Sequence, residues 1–96
     1  MTVEQFGVDG QTAIVTGSSS GIGKMIVERF ADDGADVVVT SRDIDNVQPV
    51  ADDINESNRP GEAIAIECDV TDRDAVGDLI DETVEAFGGL DILINN

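Results

Sequence analysis

The chain lacks histidine, tryptophan and tyrosine, and it holds three phenylalanines in 96 residues. Without histidine it has no imidazole to act as a general base or to join a metal-ligand set. Cys68 is the only cysteine. An intrachain disulfide and any Cys-x-x-Cys spacing are therefore excluded, which suits a reducing cytoplasm. Cys68 follows an apolar alternation and reads as a small core residue rather than a nucleophile. Positive charge is also scarce: 5 basic residues stand against 21 acidic ones, for a net charge of −16. Lys24 is the only lysine. That balance argues against nucleic acid and anionic membrane as partners, because phosphate contacts need Lys and Arg. No apolar run approaches the roughly 18 residues of a membrane span. Residues 1–6 lack the basic start and apolar stretch of a signal peptide.

The acidity has three competing explanations. A disordered acidic tail would form a low-complexity block, whereas these carboxylates are spread through periodic segments. An acidic docking surface is the second. The third, which the composition favours, is a whole surface adapted to concentrated salt, where self-repulsion is screened and carboxylates hold water.

What is present is organised. Residues 16 to 23 read Thr-Gly-Ser-Ser-Ser-Gly-Ile-Gly and follow the apolar run Ala13-Ile14-Val15. A buried strand ending in a glycine turn that opens into a helix brings backbone N–H groups and a helix dipole against a diphosphate. Gly17 is expected to permit the turn, Gly21 to let the backbone approach phosphate, and Gly23 to let the helix pack on the strand. The serines would add hydroxyl donors. The spacing is G-x-x-x-G-x-G, not the commoner G-x-G-x-x-G. It is not a P-loop, because Lys24 is followed by Met25. Alone, such a cluster is equally a flexible turn; the strand before it and the helix after it favour nucleotide binding.

The remaining pattern alternates strand and helix. Strands are expected at 12–16, from Val37 to Thr40, from Ala63 onward and from Asp91 to Asn95. The first helix should run from Gly21 to about Asp33 with Ile22, Ile26 and Phe30 on its buried face. The second carries Val47, Val50, Ala51 and Ile54, with Pro49 in its first turn, followed by a loop from Asn55 to Gly61. The third is expected to be capped by Thr71, with Asp74 completing an approximate capping box. Val76, Leu79, Ile80, Thr83, Val84 and Phe87 form its apolar face, and Gly88-Gly89 ends it. This alternation implies right-handed crossovers and a parallel sheet of order 3-2-1-4: an α/β, Rossmann-type, doubly wound fold. A fourth strand left as a bare edge would make residues 1–96 the first half of a larger domain.

At this point the sequence resembles the short-chain dehydrogenase/reductase family, from about Val8 to Asn96. It is most similar to the carbonyl reductases that include 3-oxoacyl-acyl-carrier-protein reductases. Four features carry the resemblance in order: the turn from Thr16 to Gly23, Ser41-Arg42 just past strand two, Cys68-Asp69-Val70 at the end of strand three, and Asp91-Ile92-Leu93-Ile94-Asn95-Asn96. The last looks like the start of the family's N-N-A-G motif.

The resemblance implies roles. Gly17, Ser19, Ser20, Gly21, Ile22 and Gly23 would hold the diphosphate and adenosine ribose of a nicotinamide cofactor. Asp69 would accept a hydrogen bond from the adenine amino group, beside the Val70 backbone; the plain alternative is a residue that only starts a helix. Asn95 would fix strand four to its neighbours, and Asn96 would approach the cofactor ribose through its backbone. The family's catalytic serine, tyrosine and lysine would lie past Asn96, so no catalytic and no metal-binding residue is expected here. Lys24, in the first helical turn, reads as a surface charge. The substrate would be a small carbonyl/alcohol pair, and the whole protein a homo-oligomer.

Cofactor choice follows from charge. A carboxylate at the end of strand two would bind the ribose hydroxyls and repel a 2′-phosphate. This chain has neutral Ser41 and then Arg42, whose guanidinium can pair with phosphate. That favours NADP(H), with NAD(H) left open. Some NADP-dependent relatives carry a second basic residue before the middle glycine, where this chain has Ser20. Two functions compete: the cofactor half of an oxidoreductase, or a truncated, inactive nucleotide-binding module.

Overall fold

The computed structural model describes residues 7–96, so the reading of residues 1–6 lies outside the described residues. Seven elements alternate along the chain. They are β1 (Thr12–Thr16), α1 (Gly21–Asp32), β2 (Asp36–Ser41), α2 (Ile44–Glu56), β3 (Ala63–Glu67), α3 (Arg73–Phe87) and β4 (Ile92–Ile94). All pairings are parallel and the order is β3-β2-β1-β4, as the alternation predicts. Thr16 lies opposite Thr40, and Thr40 opposite Ile66, so these strands finish along one edge of the sheet.

Strand parity makes two cores. Ala13, Val15, Val37 and Val39 face α1 and α2, where they meet Val27 and Ile54. Ile14 and Val38 face α3 and meet Cys68 and Leu79. Every residue of β1 is buried, which fits a continuous apolar strand covered on both faces.

Five expectations are corrected. In α1 the buried stripe is Gly23, Val27 and Ala31, one residue round from the expected face, and Ile22 is 70% exposed. Ile26 and Phe30 flank that stripe. In α2 the helix begins at Ile44, and Pro49 falls in its second turn. The loss of one N–H donor at Pro49 is offset by good start chemistry: Asp43 accepts from Asp45 N and Glu67 Oε1 accepts from Ile44 N.

Asn55 belongs to α2 rather than to the following loop. Its amide exchanges two hydrogen bonds of 2.8 Å with the Ala63 backbone, which ties the end of α2 to the start of β3. The cap of α3 is Asp72, not Thr71; its carboxylate accepts from Asp74 N and Ala75 N. Of the apolar face expected on α3, Leu79 and Thr83 are buried, whereas Ile80 and Val84 are exposed, as is Leu93 of β4. β4 pairs with β1 alone among the described residues.

Candidate cofactor site

The turn after β1 needs glycine at two points. Gly17 has φ +61° and Gly21 φ +59°, a left-handed region that side chains disfavour. Ser20 starts α1 with extended backbone, and its hydroxyl caps none of the helix N–H groups. The first turn carries no acidic side chain. The N-terminus of α1 thus keeps its donors and its positive dipole end for an outside anion. A Cβ on Gly21 would meet nothing within 4 Å, so the space before the turn is open.

Gly23 is constrained differently from the expectation. A Cβ there would come within 2.5 Å of the Gly17 carbonyl oxygen and 2.7 Å of Asn96 Nδ2. The missing side chain lets the turn fold against itself and the end of β4. Ser18 also departs from its expected role as a ligand donor. It is fully buried, donates to the Val15 carbonyl at 2.7 Å and accepts from Thr40 N at 3.0 Å. Only Ser19 and Ser20 keep some exposure.

The chain end after β4 reaches the same turn. Asn96 N donates to Thr16 Oγ1 at 2.9 Å, and Thr16 Oγ1 lies 3.2 Å from Asn95 Oδ1. Asn96 Nδ2 donates to the Gly17 carbonyl at 3.2 Å.

A cleft of about 310 Å³ opens at the carboxyl ends of β1, β2 and β3. Gly17, Ser41, Arg42, Asp69, Val70 and Asn96 line it together with Thr16, Cys68 and Thr71. Ser19, Ser20, Gly21, Ile22, Gly23 and Asn95 belong to the adjoining turn, helix start and β4 end and do not line it. Ser41 Oγ is engaged locally, donating to the Asp43 carbonyl at 3.0 Å and accepting from Asp43 N at 3.3 Å. The Ser41 carbonyl takes Cys68 N at 2.8 Å, which carries the β2–β3 pairing to the cleft floor.

Asp69 is exposed, and its Oδ1 accepts from Thr71 Oγ1 at 2.7 Å and from Thr71 N at 2.9 Å. The Thr71 hydroxyl, then its N–H, then the Arg42 charge hold the Asp69 carboxyl below its usual range. Burial pushes the Cys68 thiol up, aided by Asp69 and Asp72, so it stays a neutral thiol. Thr16, Cys68 and Thr71 are the cleft residues to which the sequence pattern assigns no ligand role. For Thr71 the available signal is the Asp-x-Thr spacing, a local side-chain turn that competes with the helix-cap reading. Among the described residues no cluster of three metal-ligating side chains occurs, and no helix is long and apolar enough to cross a membrane.

A parallel sheet with a glycine turn after its first strand and a cleft beyond its carboxyl ends defines a dinucleotide-binding class of fold. Residues 11–96 match the family model for short chain dehydrogenase, and the chain belongs to that family. It is 40% identical to the 7alpha-hydroxysteroid dehydrogenase of Escherichia coli over 93% of this chain and 34% of the relative. It is 39% identical to an uncharacterized oxidoreductase of Mycobacterium tuberculosis over 93% of this chain and 26% of that protein. A dehydrogenase/reductase structure from Sinorhizobium meliloti superposes with a TM-score of 0.84 at 44% identity, covering 92% of this chain and 34% of the other. The chain thus spans about a quarter to a third of the length of these relatives.

Proposed function

We propose that residues 1–96 are the cofactor half of an NADP(H)-dependent oxidoreductase that interconverts a small carbonyl and its alcohol. The observation that carries this reading is one cleft lined by Gly17, Ser41-Arg42 and Asp69, with the uncapped start of α1 on the turn that adjoins it and no carboxylate at position 41. The residues fit such a cofactor: the N-terminus of α1 has open donors and open space in front of Gly21. Gly21, Ile22 and Gly23 would offer backbone N–H groups to the diphosphate, with Ser19 and Ser20 beside them. Arg42 would pair with the ribose 2′-phosphate, and Ser41 would add its hydroxyl after leaving Asp43. Asp69 would accept from the adenine amino group beside Val70. Asn95 and Asn96, tied to Thr16 and Gly17, would hold the ribose side of the site.

When bound, the nicotinamide supplies or accepts the hydride. The residues here bind and orient; proton transfer belongs to groups past Asn96. The reducing compartment inferred from Cys68 is the cytoplasm, and the working form is a homo-oligomer. Titration of the full-length protein by the intrinsic fluorescence of NADPH and NADH tests the reading. Saturable binding with NADPH tighter is expected; no binding of either nucleotide overturns it and leaves the inactive module.

The surface supports a second proposal, adaptation to concentrated salt. None of the described carboxylates is buried. Asp78, Asp81, Glu82 and Glu85 line one flank of α3. Among the described residues only two ion pairs form, Arg29 with Asp33 and Arg59 with Asp32.

A further inference from the structure

The Asp69 carboxylate is held from one side only. Both of its hydrogen bonds among the described residues come from Thr71 and both fall on Oδ1, at 2.7 Å from the hydroxyl and 2.9 Å from the backbone N–H. Among the described residues no hydrogen bond reaches Oδ2. Thr71 takes no part in capping α3, which Asp72 does alone, so its hydroxyl has no other structural duty there. Thr71 and Asp69 line the same cleft. Two bonds on one oxygen fix the rotation of the carboxylate and leave Oδ2 as the acceptor with free lone pairs.

We infer that Thr71 is a positioning residue for purine selection: its hydroxyl sets the Asp69 carboxylate so that Oδ2 accepts from a 6-amino group and rejects a 6-oxo group. The inference rests on the proposed reading of this cleft as the adenine end of the cofactor site. A carboxylate accepts but cannot donate when ionised, so adenine pairs with it, whereas the carbonyl of hypoxanthine meets like charge. The position of Oδ2 is then the quantity that selects, and the Thr71 hydroxyl controls it.

The test compares NADPH with its hypoxanthine analogue, reduced nicotinamide hypoxanthine dinucleotide phosphate, on the full-length protein by nicotinamide fluorescence. Wild type is expected to prefer the adenine form. Thr71→Val keeps the shape and removes the hydroxyl; it should narrow that preference by about threefold to tenfold, the worth of one hydrogen bond. Thr71→Ala should do the same, and Thr71→Ser should restore the preference. Thr71 is exposed, so these variants do not threaten the core.

A merely structural role would weaken both nucleotides by one factor and leave their ratio alone. An unchanged ratio in folded Thr71→Val or Thr71→Ala overturns the inference. Equal wild-type binding of both nucleotides overturns it too, by removing Asp69 from the adenine site. No binding of either by wild type fails the cofactor reading itself.

A second readout is the pH at which the preference is lost. Protonation of Asp69 abolishes it, and the Thr71 bonds hold that carboxyl low. The acid limb should therefore move to higher pH in Thr71→Val; an unmoved limb counts against the inference. The other charged or titratable groups around Asp69 are Arg42 after β2, Cys68 at the end of β3 and Asp72 at the start of α3. All are unchanged between the variants.

Discussion

Ser18 and Thr40 hold each other by two hydrogen bonds. Ser18 N donates to the Thr40 carbonyl at 3.2 Å, and Thr40 N donates to Ser18 Oγ at 3.0 Å. The glycine turn is thereby fastened to the tip of β2, one residue before Ser41-Arg42. Ser18→Ala removes the side-chain acceptor of the buried Thr40 N–H and the buried hydroxyl's own bond to the Val15 carbonyl. It should lower the stability of the full-length protein by about 1–3 kcal/mol in urea unfolding. An unchanged midpoint would mean that the turn relaxes onto β2 without the hydroxyl.

The Thr40 side chain presents the opposite case. Its Oγ1 is buried and has no hydrogen-bond partner. Valine keeps the shape and the β-branch, so Thr40→Val should be neutral or stabilising by up to about 1 kcal/mol. A clear loss of stability in the same unfolding measurement would reveal a partner for that oxygen, such as a buried water.

Arg42→Ala should weaken NADPH binding to the full-length protein by about 1.5–3 kcal/mol, the range of a hydrogen bond to a charged group. NADH binding should barely change. Equal losses for both nucleotides in fluorescence titration would sink the assignment of Arg42 to the 2′-phosphate.

The two later glycines should fail differently. Gly21→Val places a β-branched side chain at φ +59°, in the space before the turn, and should abolish nucleotide binding. Gly23→Ala drives a methyl into the Gly17 carbonyl and the Asn96 amide, and should cost fold stability as well as binding. Thermal melts by circular dichroism alongside titration separate the two. Nucleotide binding by a folded Gly21→Val protein within about twofold of wild type would reduce the motif to a structural turn.

Salt should stabilise the whole protein. At 1 M salt the Debye length falls to about 3 Å and the repulsion among exposed carboxylates is largely screened. Salting-out ions also strengthen apolar burial. Circular dichroism melts of the full-length protein should therefore shift upward from dilute buffer to multimolar KCl. The same melting temperature across the series would refute the halophilic reading. Residues 1–96 alone should stay marginal even in salt, since Ile80, Val84 and Leu93 are exposed.

The sequence by itself determined the element order, the parallel sheet and the edge of the sheet at which the cleft opens. Those follow from local signals: β-branched runs for β1 and β2, glycines where φ must be positive, and the alternation that forces crossovers. It also brought Gly17, Ser41, Arg42, Asp69, Val70 and Asn96 to one place, because parallel strands finish along a common edge. Tertiary structure decided what each polar group does there. The stripe of α1 that is buried depends on how closely Gly23 lets the turn and β4 approach, which periodicity cannot report. Ser18 is spent on Thr40, 22 residues away, and not on a ligand. Thr71 serves Asp69, while Asp72, the residue after it, caps α3. Neighbouring hydroxyls and carboxylates compete for the same N–H groups at a helix start, and small differences in backbone angle decide between them.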